Sequence, residues 1–138
     1  MTSAKLIDRA VVEVVGGNIR KIFQTSDPNF KSFGEAYISE IEPSFIKGWK
    51  MHSKMTCSLY VPLGHVKFVV CTSKDDCKTF ELSANKNQIL QIFPNSWFAF
   101  QGLGERNSMV LNIADIEHEP EESKNLPLDT IQYNWEIK

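Results

Sequence analysis

An all-β fold, a single-domain jelly-roll β-barrel, is predicted by three features of this 138-residue sequence. Short apolar runs keep a period of two, turn residues separate them at close spacing, and no window of eleven or more residues holds an apolar stripe at helical period as well. Eight or more such runs suit a jelly roll, and 42% hydrophobic with 11% aromatic residues is enough to fill one core at this length. Residues 1–138 are therefore expected to form one domain.

Each element has its own reason. Residues 10–15 (AVVEVV) are rich in β-branched side chains and stop at Gly16-Gly17, after which residues 18–23 return as the second arm of a hairpin. Residues 25–34 (TSDPNFKSFG) have loop composition, and residues 35–41 alternate, with Ala36, Ile38 and Glu40 opposite Tyr37, Ser39 and Ile41. Pro43 precedes a strand-turn-strand unit, FIKGWKMHSKMTCSLYVPLG (45–64), which closes on a proline-glycine turn. Strands VKFVVC (66–71) and TFEL (79–82) flank the polar loop TSKDDCK, and further short strands follow at 88–93, 97–100 and 109–113. HEPEESKNLP (118–127) reads as an acidic, solvated surface loop, whereas Tyr133 and Trp135 predict a C-terminal tail packed on the barrel.

Composition excludes several function classes. A formal net charge of −2 and a pI near 5.9 leave no basic excess to hold nucleic acid or an anionic membrane, so an anionic ligand has to be met by a local cluster. Cys57, Cys71 and Cys77 fit neither a zinc pattern nor a secreted disulfide framework, the amino terminus carries charges where a signal peptide needs an apolar run, and no 18 apolar residues occur together. The expectation is a soluble cytoplasmic protein with reduced thiols.

The 45–64 stretch concentrates the chemistry. Strand alternation puts Gly48, Lys50 and His52 on one face and Lys47, Trp49 and Met51 on the other. Ser58 and Tyr60 share a face on the returning strand, and Asn112 joins from a late strand, giving a predicted polar wall of Lys50, His52, Ser58, Tyr60 and Asn112. Interleaved Trp49, Trp97, Phe98 and Phe100 supply the apolar area that ligand sites combine with a few orienting polar groups. Strict alternation separates Lys47 from Lys50, so both can serve one ligand only if Gly48 marks a bulge or Lys47 reaches a neighbouring subunit's site.

The segments FGEAYISEIEPSFIKGWKMH, VPLGHVKFVV, LNIADIEHEPEES and IQYNWEIK resemble the short bacterial members of the dTDP-4-dehydrorhamnose 3,5-epimerase family, over about residues 16–135. These are metal-free cupins, and the resemblance implies a jelly roll without cofactor that acts on a nucleotide-linked 4-keto-6-deoxy sugar in surface-polysaccharide precursor synthesis. It also implies a homodimer, to which the apolar N-terminal strands would lend a shared sheet. Its mechanism is removal of a proton α to a ketone, stabilisation of the enolate and return of the proton on the other face. The family's base, a His in an RGxH segment, falls at Lys50 of Lys47-Gly48-Trp49-Lys50. Its late-strand Tyr falls at Asn112, a supporting lysine near Cys57, and its orienting carboxylate at Asp129. The strand-face reading and the resemblance together give Lys50, His52, Tyr60 and Asp129 as expected catalytic groups, and Lys47, Trp49, Ser58, Trp97, Phe100 and Asn112 as expected substrate contacts. The alternatives are 3,4-ketoisomerisation of the same sugars and non-catalytic nucleotide-sugar binding. Metal-binding cupins also resemble this chain, but they need an HxH pair, a following Glu and a later His. Here Lys50-Met51-His52 offers one imidazole, no Glu lies between Ser53 and Gly64, and residues 94–102 hold no His, so no metal is expected.

Overall fold

A computed structural model describes residues 3–135. Among these residues twelve strands follow in chain order: β1 (Ala4–Asp8), β2 (Val11–Val12), β3 (Ile19–Arg20), β4 (Glu35–Ile41), β5 (Ile46–His52), β6 (Cys57–Leu63), β7 (His65–Ser73), β8 (Asp76–Ser83), β9 (Gln88–Ile92), β10 (Trp97–Gly102), β11 (Ser108–Ala114) and β12 (Ser123–Asn125). Two five-stranded antiparallel sheets form, ordered β1-β9-β6-β11-β4 and β12-β5-β10-β7-β8, with β2-β3 as a separate ribbon. The sheets pack face to face because period-two runs in both turn apolar residues inward: Leu59, Leu90, Ile92 and Val110 from one, Val66, Phe68, Val70 and Leu82 from the other. Among the described residues no helix is long and apolar enough to cross a membrane.

The predicted strands from 35 onward all form, with longer arms around a tighter turn between β7 and β8. The N-terminal hairpin narrows to two rungs, Val11 with Arg20 and Val12 with Ile19. Two strands lack the apolar alternation that would reveal them: β1 pairs with the edge of β9, and the polar β12 pairs with β5. Thiol chemistry also departs from expectation. Cys71 and Cys77 stand opposite each other in the β7-β8 register and are joined as a disulfide, with Cα atoms 4.0 Å apart, while Cys57 is a buried free thiol.

A second apolar cluster lies on the outer face of the β12-β5-β10-β7-β8 sheet. Trp49, Val69, Cys71 and Ala99 are covered there by Ile131, Leu126, Tyr133 and Trp135 of the C-terminal segment. Up to Trp135 this segment is packed on the side of the sheet away from the barrel interior.

Candidate active site

The barrel interior opens into a cavity of about 220 Å³ between the two sheets. Its wall combines Lys47, Lys50 and His52 of β5, Phe98 and Phe100 of β10, Cys57 and Leu59 of β6, Tyr37 and Ser39 of β4, Asn112 of β11, and Asn125 of β12. Of the residues singled out from the sequence, Lys47, Lys50, His52, Phe98, Phe100 and Asn112 come together here.

A bulge in β5 makes this possible. Phe98 pairs with Lys50 and Ala99 with Gly48, so Trp49 is the extra residue and the alternation resets across it. Lys47 and Lys50, opposite by strict alternation, therefore share the cavity face. Gly48 carries φ +152 at a cis Gly48-Trp49 peptide, and a Cβ there would sit 2.4 Å from that of Ala99. Only glycine fits.

His52 is a tightly held polar group of the site. It is 6% exposed, its ring lies against Phe98 with centroids 6.2 Å apart, and its Nδ1 is 2.6 Å from Oε1 of Glu122. Glu122 is itself 4% exposed, and its Oε2 accepts the backbone N–H groups of Lys54 and Met55 at 3.0 and 2.9 Å. Burial alone would raise its carboxyl, but the His52 hydrogen bond and these two amides outweigh it and hold Glu122 below the usual value. An ionised Glu122 accepts only, so Nδ1 carries the proton of this bond, and in the neutral imidazole Nε2 is the nitrogen with the lone pair. Lys50 lies beside this pair on the same wall and has no ion-pair partner among the described residues.

Sequence reasoning missed Glu122. The HEPEES segment has the charge density of a solvated loop, yet Ser53 N–H and Oγ–H both bond the Glu122 carbonyl at 2.9 Å and draw it against the end of β5. The available signal was a carboxylate near the C-terminus facing a lone histidine. Asp129, the expected orienting carboxylate, lies instead on an exposed 3₁₀ turn (Leu128–Thr130) beside Ile131 and Tyr133.

Four other expected site residues point away from the cavity. Tyr60 donates to Oδ1 of Asn87 at 2.5 Å, and Ser58 Oγ accepts from Gln91 at 3.1 Å, both on the outer face of β6. Period two shows which residues share a face but not which face is interior. Both faces of β6 are buried, and Cys57 and Leu59 take the inner one. Trp49 is fully buried on the outer face of β5, donating Nε1–H to the carbonyl of Leu128 at 3.1 Å, and Trp97 joins the same outer cluster. Cys57 bears a thiol that burial pushes up to about 12, so it stays protonated in the cavity wall. Among the described residues no three His, Cys, Asp or Glu side chains stand together as metal ligands.

No protein-family model matches the chain. The spore coat polysaccharide biosynthesis protein SpsL of Bacillus subtilis is 23% identical over 129 residues, covering 86% of this chain and 85% of SpsL. Among solved structures, a dTDP sugar isomerase from Desulfovibrio desulfuricans G20 is 30% identical and superposes with a TM-score of 0.87 over 96% of this chain and 90% of its own. The dTDP-4-dehydrorhamnose 3,5-epimerase of Bacillus anthracis, with TDP and pyrophosphate bound, shares the fold at 16% identity and a TM-score of 0.84, covering 98% of this chain and 86% of its own. By the order of its motifs, its jelly-roll topology and this similarity along nearly its whole length, the chain belongs to the dTDP-4-dehydrorhamnose 3,5-epimerase-like family of dTDP-sugar isomerases and epimerases.

Proposed function

We propose that the protein is a cofactor-independent isomerase of a dTDP-linked 4-keto-6-deoxy sugar, acting by abstraction of the proton α to the ketone. The observation that carries this reading is the buried His52–Glu122 pair, which leaves a basic Nε2 on the wall of a sugar-sized cavity beside a lysine. A volume of about 220 Å³ is below the ~300–1,000 Å³ of sites that engulf drug-sized ligands, so the sugar ring enters and the nucleotide stays at the mouth. Nε2 takes the C3 proton, the C–H electrons form C3=C4, and the C4 carbonyl electrons move onto its oxygen. The Lys50 ammonium stabilises that oxyanion, while Lys47 at the rim offers a point charge to the diphosphate. Glu122 holds the imidazole in the productive tautomer and stabilises the imidazolium that forms. The similarity to SpsL, a spore coat polysaccharide biosynthesis protein, supports a role in surface-polysaccharide precursor synthesis.

Incubation with the dTDP-linked 4-keto-6-deoxy sugar in D2O tests the reading. Deuterium at C3 and C5 marks 3,5-epimerisation, and C3 exchange with a migrated ketone marks 3,4-ketoisomerisation. Binding without exchange overturns enzymatic action on this substrate and leaves the sugar-binding alternative. His52→Asn is expected to abolish exchange, and Lys50→Met to slow it by a hundredfold or more, with the melting transition nearly unchanged. We also propose a homodimer through the N-terminal ribbon, where Val11, Val12, Val15 and Ile19 are exposed. Light scattering on Val12→Lys/Ile19→Lys, expected to be monomeric, checks it.

A further inference from the structure

We propose that the Cys71–Cys77 disulfide is a thiol–disulfide exchange site for dithiol reductants, and that its reduction loosens the C-terminal segment from the outer sheet and slows the reaction in the cavity. Only the last link rests on the α-proton chemistry proposed above.

The bond is placed to hold side-chain packing rather than the chain. It joins residues six apart in sequence, at the end of a hairpin that the β7-β8 rungs from His65–Ser83 to Val70–Lys78 already pair. So short a loop removes little freedom from the unfolded chain. Its sulfurs belong instead to the outer apolar cluster: Cys71 is fully buried in it with Trp49, Val69, Ala99 and Ile131, and Cys77 packs at its margin. The C-terminal segment crosses this patch. Ile131 is buried in it, and the Tyr133 hydroxyl bonds at 2.9 Å to Thr79, two residues along β8 from Cys77 and on the same face.

Reduction changes that patch. Two covalently joined sulfurs become two thiols that need van der Waals separation, while Trp49, Val69, Cys71 and Ala99 have no exposed surface to give up. A close-packed cluster answers added volume by displacement. The sheet beneath is held by its ladders, so the tail is what yields.

The disturbance has a contiguous path to the site. One row of register partners crosses the sheet as Cys77, Cys71, Trp97, Met51 and Lys124. The next rung of β5 and β12 pairs His52 with Ser123, the neighbour of Glu122. β12 is three polar residues long and continues into the tail through the backbone bonds between Leu126 and Trp49.

The exchange step balances with the dithiol as reductant. Cys77 is half-buried beside exposed turn residues 73–76, so a thiolate of the dithiol attacks its sulfur; the S–S bond breaks, and Cys71 leaves and takes a proton. The dithiol's second thiolate closes its own disulfide and releases Cys77. The reagent is oxidised by two electrons and the protein gains two thiols. Cys57 faces the barrel interior and offers no alternative pairing.

Wild type and Cys77→Ser are equilibrated with reduced or oxidised dithiothreitol. Thiol titration after denaturation is expected to count one thiol in oxidised wild type and three in reduced. On reduction, the Trp49 and Leu126 amide protons, each bonded to the other residue's carbonyl, are expected to exchange with D2O at least tenfold faster, with the β6-β9 amides unchanged. C3 exchange on the dTDP-linked 4-keto-6-deoxy sugar is expected to slow threefold or more, and Cys77→Ser to hold the reduced-state values in both buffers. Three thiols in oxidised wild type, or amide exchange indifferent to the redox state, overturns the proposal. Faster amide exchange with an unchanged C3 rate overturns the link to the cavity. Faster amide exchange with no C3 exchange in either state overturns the α-proton reading and leaves the redox-linked tail standing.

Discussion

Glu122 is held by three donors at once, the Nδ1–H of His52 and the backbone N–H groups of Lys54 and Met55. Burial opposes its charge, but these bonds leave its folded carboxyl below the ordinary value of 4.5. The unfolded chain therefore takes up this proton first as pH falls. The stabilisation is complete above about 4.5 and is lost as pH drops toward the folded value. Urea midpoints measured from pH 7 to pH 3 are expected to fall across that window in wild type and to fall less steeply in Glu122→Gln. That variant also loses charge-assisted bonds and is expected to be about 1.5–3 kcal/mol less stable at pH 7. An unchanged acid slope would assign the acid sensitivity elsewhere. Lys50 and His52 were legible because their spacing on a strand places them together whatever the fold around them. Glu122 was not, because it is buried by long-range bonds to Ser53, Lys54 and Met55, and its neighbours in sequence carry only the signature of a solvated acidic loop.

Within β5, the bulge at Trp49 sets which side chains face the cavity. The side chains of Lys47 and Lys50 reach one cavity because Gly48 approaches Ala99 so closely that no Cβ fits between them. Gly48→Ala is expected to force β5 away from β10 or to straighten the bulge, costing about 1–3 kcal/mol and turning Lys47 from the cavity. Chemical denaturation measures the first effect and the KM for the nucleotide sugar the second; an unchanged KM would remove Lys47 from nucleotide recognition. Alternation revealed the strands whose two faces differ in polarity, such as β4, where Tyr37 and Ser39 face the cavity and Ile38 is exposed. It assigned the wrong face in β6, where the outer Ser58 and Tyr60 are buried under hydrogen bonds to Gln91 and Asn87. It missed β12, whose residues Ser123, Lys124 and Asn125 are polar throughout and become a strand only by pairing with β5.

Across the whole molecule, the C-terminal segment couples the inside of the barrel to its outer surface. After Glu122 it runs as β12 along β5, exchanges two backbone bonds between Leu126 and Trp49 at 3.0 and 3.1 Å, and accepts the Trp49 indole at Leu128. It then buries Ile131 on the outer sheet, bonds the Tyr133 hydroxyl to Thr79 at 2.9 Å, and sets Tyr133 and Trp135 beside Lys67. Trp49 is fully buried because this segment covers it, and its neighbour Lys50 faces the cavity from the other side of the same strand. Deletion of residues 128–138 keeps Glu122 and β12 in the chain but removes the cover. Exposing Trp49 and losing the buried Ile131 is expected to cost at least ~3 kcal/mol, read as a lower urea midpoint and a red-shifted tryptophan emission. The same deletion loosens β12 against β5 and with it the His52–Glu122 bond, so C3 exchange is expected to slow even at temperatures where the truncated chain is folded. An unchanged exchange rate in the folded truncation would show that Ser53, Lys54 and Met55 alone suffice to hold Glu122 on His52.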